Sequence, residues 1–301
     1  MKNPAASVHA RLAQRRTTTG EDYNVLLVRF TLERLLYRLS CSSYREQFVL
    51  KGAMLFALWE PKLHRVTRDL DLLGFGQPSP GRLADIFREL CLLEVEADGV
   101  AFDPQSVACE DIRAQDEYAG IRVKLRGTIG KAVVPLQVDV GFGDAQSVAP
   151  EEITFPVLLG MAAPKLQAYA RETVVAEKLE AIVKLCMLNT RFKDYFDLHY
   201  LAQNFSFTGD LMGKSIAATF ARRGTAFPAG LPVGLTPMFA TDAAKIRGWL
   251  AFWRKTGPKS AAPTLEAVIQ LLVAFLEPPL VAAAKGKTAP AIWKSNRWLN
   301  G

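Results

Sequence analysis

Two aspartates separated by a single leucine are the residues of this 301-residue sequence best suited to chemistry. Asp69 and Asp71 alternate with Leu70 and Leu72. In an extended strand, residues i and i+2 point to the same side, so both carboxylates share a face while the leucines enter the core. Carboxylates this close repel each other and are commonly kept by binding a cation, for which Mg²⁺ completed by substrate phosphates is suitable. The alternative is the solvated edge of a half-buried strand.

A third aspartate lies in a second strand-like segment, residues 133–140. Apolar residues at every second position fill one face of this segment and leave Gln137 and Asp139 on the other. If the two strands are neighbours, Asp69, Asp71 and Asp139 together suit two divalent ions about 3.5–4 Å apart, as in phosphoryl or nucleotidyl transfer.

A glycine turn upstream of these acids could receive a phosphate group. Lys51, Gly52 and Ala53 stand at the start of a short predicted helix, residues 54–59. Free N–H groups at a helix start can bind phosphate oxygens, and Gly52 permits close approach. The alternative is a glycine that only begins the helix.

Taken together, these motifs resemble a known enzyme pattern. Gly52-Ala53, a spacer, Asp69-Leu-Asp71-Leu and Val138-Asp139-Val140 resemble the nucleotidyltransferase superfamily, in which Gly-Gly or Gly-Ser precedes Asp-h-Asp-h and a later h-Asp-h, where h is apolar. Ala53 departs from that pattern, so no hydroxyl meets the phosphates there. The spacer is also longer than usual, with His64 and Arg65 extending the loop.

Further segments resemble the AbiEii/AbiGii toxin family over roughly residues 20 to 280. They are residues 48–53, residues 65–71, Glu177-Lys178-Leu179 and residues 191–198. The resemblance implies an α+β fold with a mixed nucleotidyltransferase-type sheet flanked by helices.

The resemblance also implies roles for the motif residues. Asp69 and Asp71 would bind Mg²⁺ or Mn²⁺, and Asp139 would complete the site of the ion that activates the attacking hydroxyl. Lys51, Gly52 and Ala53 would approach the triphosphate of an NTP. Lys178 would neutralise charge as pyrophosphate leaves. Thr67, the hydroxyl nearest to the acids, corresponds to a point of control in MenT-like relatives.

The implied function is that of a metal-dependent nucleotidyltransferase toxin in a toxin–antitoxin, or abortive-infection, system. By this analogy the acceptor is RNA, most often the tRNA 3′ end, and the protein partner is a cognate antitoxin. Two alternatives remain: transfer of a nucleotide to a protein or small molecule, and a non-catalytic RNA- or nucleotide-binding module. The intact trio of acids argues against the second alternative.

Two helical patterns, residues 171–188 and 191–203, contribute further candidate residues. Lys178 lies on the flank of the apolar face of the first helix, and Arg171 lies two turns earlier on the same side, where both could reach phosphates. Asp194 and Asp197 share a face of the second helix and are assigned to nucleotide binding. Their alternative is ion pairing with Arg191 or Lys193.

Bulk properties exclude several other classes of protein. A net charge of +7 and a pI near 9.2 are compatible with a polyanionic partner. The four cysteines form no Cys-x-x-Cys and the three histidines no cluster, so we expect no zinc site and reduced, buried thiols. The first twenty residues lack an apolar core, and residues 265–280 are interrupted by charges and prolines. We therefore expect a cytoplasmic protein without a signal peptide or membrane span.

The patterns predict three regions along the chain. Residues 1–20 are a loosely held basic arm, residues 21–205 the catalytic domain, and residues 206–301 a helical domain without strand signals. Arg122, Lys124 and Arg126 share one face of a strand that could meet RNA or simply be solvated. The basic and tryptophan-containing segment 285–298 could stack bases or fold back on the core.

Overall fold

A computed structural model describes residues 3–59, 67–112, 120–143, 148–257, 260–289 and 291–299. The chain divides into two compact units. Unit 1 comprises Met1–Gly143 and Pro150–Tyr169, and unit 2 comprises Asp144–Ala149 and Ala170–Gly301.

Unit 1 is built on a seven-stranded mixed sheet with the strand order β3-β4-β5-β2-β1-β7-β6. The strands are β1 (Phe48–Lys51), β2 (Asp69–Gly74), β3 (Ala101–Ile112), β4 (Gly120–Ile129), β5 (Ala132–Phe142), β6 (Glu151–Thr154) and β7 (Lys165–Ala168). β2 runs parallel to β5 and β1 parallel to β7, whereas the remaining neighbours are antiparallel. The predicted α+β class with a mixed sheet is confirmed.

The alternating sequence of the central strands explains how the sheet is oriented. Leu70, Leu72, Val138 and Val140 are at most 1% exposed. Their burial places the intervening acids on the opposite face of β2 and β5, because successive side chains alternate across a strand. Among its described residues this unit has the helices α1 (Pro4–Thr19), α2 (Tyr23–Cys41), α3 (Phe56–Trp59) and α4 (Pro80–Leu92). Of these, α2 packs on β5 and β7, and α4 packs on β3.

The N-terminal segment is a docked helix and not the loosely held arm expected from its charge. Asn3 caps α1, and Val8 and Leu12 are completely buried. His9 lies 2.6 Å from the Tyr23 hydroxyl and 2.9 Å from the Ile129 carbonyl oxygen, and Arg11 donates to the Leu159 carbonyl. Buried apolar side chains and these polar contacts hold the helix against the rest of unit 1. The many basic residues of the segment had led us to expect a loosely held arm.

Unit 2 is mainly helical. Its helices are α5 (Arg171–Leu185), α6 (Phe192–Asn204), α7 (Gly209–Arg222), α8 (Pro237–Thr241), α9 (Ala243–Thr256) and α10 (Leu265–Ala284). α5 packs against α7, and α10 packs against α6, α7 and α8. Because α5 and α6 share this core, the division of the chain falls after Tyr169, whereas the sequence-based boundary was placed after residue 205.

The C-terminal segment forms strands where the sequence analysis found no strand signal. β9 (Ile292–Lys294) and β10 (Arg297–Leu299) form a hairpin, and β8 (Phe207–Thr208) pairs with β9. The two-residue turn, Ser295 and Asn296, has positive φ at both positions, as a type I′ turn requires. Trp293 is completely buried. The segment therefore folds back on the core, as the second of the two alternatives proposed.

The last helix, α10, continues through Pro278 and Pro279. Proline has no N–H, so Pro279 cannot donate to the carbonyl of Phe275. The indole N–H of Trp298 donates to that carbonyl at 3.1 Å instead. By length and composition alone α10 could cross a membrane, but Leu272, Phe275 and Leu276 are completely buried within unit 2. This degree of burial is typical of a helix in a protein core.

The cysteines differ in part from the expectation. All four are free thiols. Cys91 is buried and Cys109 partly buried, whereas Cys41 and Cys186 are exposed. Burial raises the pKa of Cys91 to about 11, which keeps it a neutral thiol.

Candidate active site

The acidic residues of the candidate site lie side by side on one face of the seven-stranded sheet. In the parallel pair β2–β5, Asp71 lies directly beside Asp139, and Asp69 beside Gln137. In the antiparallel pair β1–β2, Lys51 lies opposite Asp71. Residues paired in this way project to the same side of a sheet. The two acidic strands are therefore neighbours, which is the condition under which the sequence analysis grouped the three acids.

Gly52 packs against Asp71. It begins a 3₁₀ turn, Gly52–Leu55, that connects β1 to α3, and Ala53 is the next residue of this turn. Its φ of 72° lies in the left-handed region that glycine adopts readily. A Cβ at this position would also collide with the carboxylate of Asp71. Glycine is thus required both by the backbone conformation and by the close approach to the acid.

Asp69 lies at the exposed start of β2 and borders a cleft of about 570 Å³. The cleft is lined by Arg68, Asp69, Ser106, Lys124, Arg126 and Gln137, among other residues. The hydroxyl of Thr67 donates to the backbone carbonyl of Asp69 at 3.2 Å, which holds the chain as it enters β2. Residues 60–66, which include His64 and Arg65, lie outside the described residues.

Asp139 forms a two-pronged ion pair with Arg122, its direct neighbour on β4. Nε of Arg122 donates to Oδ1 of Asp139 at 2.8 Å, and Nη2 donates to Oδ2 at 2.9 Å. Gln137 adds a third hydrogen bond, from Nε2 to Oδ2 at 3.3 Å. The bond to Asp139 raises the pKa of Arg122 above its usual value, and the Asp69 carboxylate contributes in the same direction.

The fit of a metal ion to these acids is partial. Asp69 and Asp71 present carboxylates on one face, and Mg²⁺ is commonly held by one or two carboxylates and substrate phosphates. Asp139, in contrast, has both oxygens engaged with Arg122. Within the described part of the chain, no three potential ligands are grouped closely enough to hold an ion. The arrangement therefore suits a two-carboxylate site better than the three-carboxylate site expected from the sequence.

The basic face of β4 is neutralised by neighbouring acids. Lys124 forms an ion pair with Glu110 at 2.6 Å, and Arg126 forms one with Asp103 at 2.8 Å. With the Arg122–Asp139 pair included, each of the three basic residues predicted to share this face has an acidic partner. A face of this kind is closer to the solvated, ion-paired alternative than to an open surface for RNA.

The predicted residues of unit 2 form a buried ion cluster. Nζ of Lys178 lies 2.7 Å from Oδ1 of Asp194 and 2.8 Å from Oδ2 of Asp197. Nε of Arg191 donates to the other oxygen of Asp194 at 2.7 Å, so the ion pairing considered as an alternative is present. The side chains of Asp194 and Asp197 are 1% and 0% exposed. They are placed to hold Lys178 and not to reach a ligand directly, which differs from their sequence-based assignment.

Electrostatics explains how two buried carboxylates tolerate each other. Burial by itself raises the pKa of Asp194, but attraction to Lys178 and Arg191 outweighs this effect and leaves the pKa below its usual value. Arg171, at the start of α5, places its guanidinium 4.7 Å from the centre of the Phe205 ring. Phe205 was not singled out in the sequence.

Arg122 is the main residue of the site that sequence reasoning missed. It was assigned to a basic strand face, although the pairing of β4 with β5 makes it the partner of Asp139. Tyr169 was also missed, and its ring centre lies 5.9 Å from Nζ of Lys51. The signal for Arg122 was present in the short β4–β5 hairpin, whose turn fixes the register of both strands.

Comparison with known proteins gives a family and two distant structures. The sequence profile of the family described as nucleotidyl transferase AbiEii toxin, type IV toxin–antitoxin system, matches residues 34–271. A crystal structure of a candidate nucleotidyltransferase from H. pylori is 17% identical, with 85% of this chain and 98% of that chain covered and a TM-score of 0.43. JHP933 from Helicobacter pylori is 17% identical, with 84% and 93% covered and a TM-score of 0.40. No curated protein matches the chain. Because the matched profile spans well over half of the sequence, the chain belongs to the AbiEii nucleotidyltransferase toxin family.

Proposed function

We propose that this protein is a metal-dependent toxin that transfers a nucleotide from an NTP to an RNA acceptor, the tRNA 3′ end in particular. The observation that carries the proposal is the packing of Gly52 against Asp71 in a row that also contains Lys51 and Asp139. Because glycine has no side chain, the backbone at position 52 can lie close to the acidic pair. Phosphates could then approach both that backbone and a metal ion held by the acids.

The residues of unit 1 would share the work at the triphosphate. Asp69 and Asp71 would hold Mg²⁺ or Mn²⁺, which would neutralise charge on the phosphates and orient the attacking hydroxyl. Lys51 would contribute a positive charge beside the acids, and Gly52 would allow the phosphates to approach the backbone. Thr67, through its bond to the Asp69 carbonyl, would influence the entry of β2. We keep it as a candidate point of control.

Lys178 would supply positive charge as pyrophosphate leaves, with Asp194 and Asp197 as its positioning residues. The carboxylates orient the ammonium group at 2.7 and 2.8 Å. An oriented charge needs little reorganisation when negative charge develops, which is the condition under which such groups contribute most to rate. Arg171 is a second candidate for phosphate contact.

The acceptor and the partner rest on family membership. The family is that of type IV toxin–antitoxin systems, so a cognate antitoxin is the expected protein partner, and the cytoplasm is the expected compartment. The choice of RNA over a protein or small-molecule acceptor is supported by the positive net charge of the chain.

The test is incubation of the protein with each α-³²P-labelled NTP, Mg²⁺ and total RNA, followed by denaturing gel electrophoresis. We expect label in an RNA band of tRNA size with one NTP preferred, and no label with Asp71→Asn. Label in a protein band would move the acceptor to protein. Absence of transfer from all four NTPs to RNA, protein and small molecules, by protein whose fold is verified by circular dichroism, would exclude the proposed activity.

A further inference from the structure

We propose that Arg122 is a phosphate-contacting residue of the nucleotide site and that Asp139 is its positioning residue and not a ligand of the metal ion. The inference rests on the proposed nucleotidyl transfer and assigns a different task to the third acid.

Four charged residues in one row across a face of the sheet alternate around the acidic centre. Pairing of β4 with β5, β5 with β2, and β2 with β1 brings Arg122, Asp139, Asp71 and Lys51 into succession. Asp71, the acid that packs on Gly52, therefore has Lys51 on the adjacent strand β1 and Arg122 two strands away on β4. A triphosphate bound over Asp69 and Asp71 would be strongly anionic, and arginine and lysine beside those acids could form charge-assisted hydrogen bonds with it.

The hydrogen bonds of Asp139 favour a guanidinium over a metal ion. Its two oxygens accept three donors, from Nε and Nη2 of Arg122 and from Nε2 of Gln137. A divalent ion at the same carboxylate would lie next to the guanidinium and be repelled by it. The carboxylate could bind the ion only by giving up a bidentate pair, which is among the stronger pairings that proteins form.

The same bonds prepare Arg122 for an anion. The two parallel bonds to Asp139 fix the plane of the guanidinium, and they use Nε and Nη2 but not Nη1. In the part of the chain that the structure describes, Nη1 has no protein acceptor, and the side chain is 32% exposed. A guanidinium held in place by a carboxylate and presenting its remaining N–H groups loses little rotational freedom on binding phosphate.

The experiment measures metal binding and phosphate binding separately. Mn²⁺ alone is titrated by electron paramagnetic resonance, and inorganic triphosphate, which every NTP contains, is titrated by calorimetry in the presence of Mn²⁺. Asp71→Asn, Asp139→Asn, Arg122→Ala and the double variant that combines Asp139→Asn with Arg122→Ala are compared with wild type. Arg88→Ala serves as the control because it removes an exposed, ion-paired arginine of α4 that does not line the cleft beside Asp69.

We expect Asp71→Asn to lose Mn²⁺ binding, and Asp139→Asn to retain it within about threefold of wild type. Arg122→Ala should weaken triphosphate binding by about 10- to 100-fold, the range for a hydrogen bond to a charged group. Arg88→Ala should bind triphosphate like wild type. Asp139→Asn should weaken triphosphate binding in the wild-type background but add no further loss to Arg122→Ala, because Asp139 acts through Arg122.

Two results would overturn the inference. Loss of Mn²⁺ by Asp139→Asn to the same degree as by Asp71→Asn would make Asp139 a ligand. Triphosphate binding by Arg122→Ala equal to that of wild type would remove the phosphate contact. If the wild-type protein transfers labelled nucleotide, the proposed function stands after either result. If the wild-type protein transfers none, the proposed function is contradicted, and the binding measurements still decide the roles of Arg122 and Asp139.

Discussion

The Cα atom of Gly52 lies where any side chain would meet the carboxylate of Asp71, which makes this position a direct probe of the site. Gly20 has the same φ of 72°, but a methyl group added to it would meet no other atom within 4 Å. The two glycines therefore differ in their surroundings and not in their backbone strain.

We predict that Gly52→Ala and Gly20→Ala each lose about 1–2 kcal/mol of unfolding free energy from the left-handed conformation. Only Gly52→Ala should also displace Asp71 and abolish nucleotide transfer. Urea unfolding followed by circular dichroism and label incorporation from the preferred NTP measure the two effects. A fully active Gly52→Ala protein would mean that Asp71 can move without consequence, which contradicts its proposed role.

Lys178 neutralises two buried carboxylates, so its removal should affect stability as well as rate. Lys178→Ala leaves Asp194 and Asp197 without their shared cation, a change that typically costs about 3–5 kcal/mol. Below the unfolding transition, turnover should still fall by about 10²–10³-fold if the ammonium stabilises the leaving pyrophosphate. Lys184→Ala, on an exposed part of the same helix, is the control. Equal behaviour of the two variants would remove Lys178 from the site.

The pH dependence of that stability loss has a definite sign. In wild type the pKa of Asp194 is lowered, so its contribution to stability is present above the unfolded pKa, about 3.9, and is lost as pH falls through the folded pKa. Without Lys178, the attraction that lowers the pKa of Asp194 is weakened and burial should raise that pKa, so protonation at lower pH should relieve the cost of the buried charge. The stability difference between wild type and Lys178→Ala should therefore shrink from pH 7 to pH 4. A difference that grows on acidification would contradict this explanation.

At the residue level, the sequence was sufficient for the acids but not for their partners. Alternation with leucine and valine placed Asp69, Asp71 and Asp139 on one face because a strand has a period of two. The partner of Asp139 depends on register. Gly130, with φ 58°, starts a two-residue turn between Ile129 and Ala132, and counting equally outward from that turn brings Arg122 opposite Asp139. The Lys178 cluster could not be derived in this way, because it depends on how two helices pack.

Among the elements, α10 offers a test of how a helix tolerates internal proline. The Phe275 carbonyl, which Pro279 cannot bond, accepts from Trp298. We predict that Trp298→Phe costs about 1–3 kcal/mol by leaving this carbonyl unpaired. In a Pro279→Ala background the loss should be smaller, because the new N–H at position 279 can donate to the same carbonyl.

Wild type, Trp298→Phe, Pro279→Ala and the double variant form a double-mutant cycle. Urea unfolding of these four proteins, followed by circular dichroism, gives the coupling free energy between positions 298 and 279. The matched control is Trp253→Phe, whose indole N–H donates to the Ser260 carbonyl away from the prolines. It should show no coupling to Pro279→Ala. Equal losses for Trp298→Phe in both backgrounds would show that the indole contributes packing only.

Periodicity located most helices and the strands of the site, but it missed elements whose stability comes from tertiary contacts. α1 carries many charges, and only Val8 and Leu12 mark its buried side, too few for a periodic signal. β9 and β10 are three residues each, and their hairpin depends on the turn at Ser295 and Asn296. Prolines interrupt the pattern of α10. The hydrogen bond that Pro279 cannot donate is replaced by one from Trp298, a residue outside the helix.

For the whole molecule, the division into units followed packing that the order of elements did not reveal. α5 and α6 were assigned to the catalytic domain because the helical region without strand signals was taken to begin after residue 205. In the structure they share a core with later helices, so the acids belong to unit 1 and the Lys178 cluster to unit 2. Which helices share a core depends on complementary surfaces, and hydrophobic periodicity along the sequence does not identify the partners.

The net charge of +7 predicts RNA binding that weakens with salt, but the charges should not contribute equally. Lys124 and Arg126 already have acidic partners, whereas Lys294 and Arg297 are exposed and have no acidic partner among the described residues. An ion-paired cation must exchange its carboxylate for a phosphate and so releases fewer counterions. Lys124→Ala with Arg126→Ala should therefore leave the slope of log affinity against log salt nearly unchanged.

Lys294→Ala with Arg297→Ala should instead reduce that slope by about 0.7 for each phosphate that is no longer neutralised on a single strand, or about 0.9 on a duplex. Fluorescence anisotropy with labelled tRNA between low and physiological salt measures both slopes. The opposite order would place the RNA on β4, next to the acids. A flat response from wild type would show that the positive charge serves solubility, because binding that neutralises phosphates cannot be independent of salt.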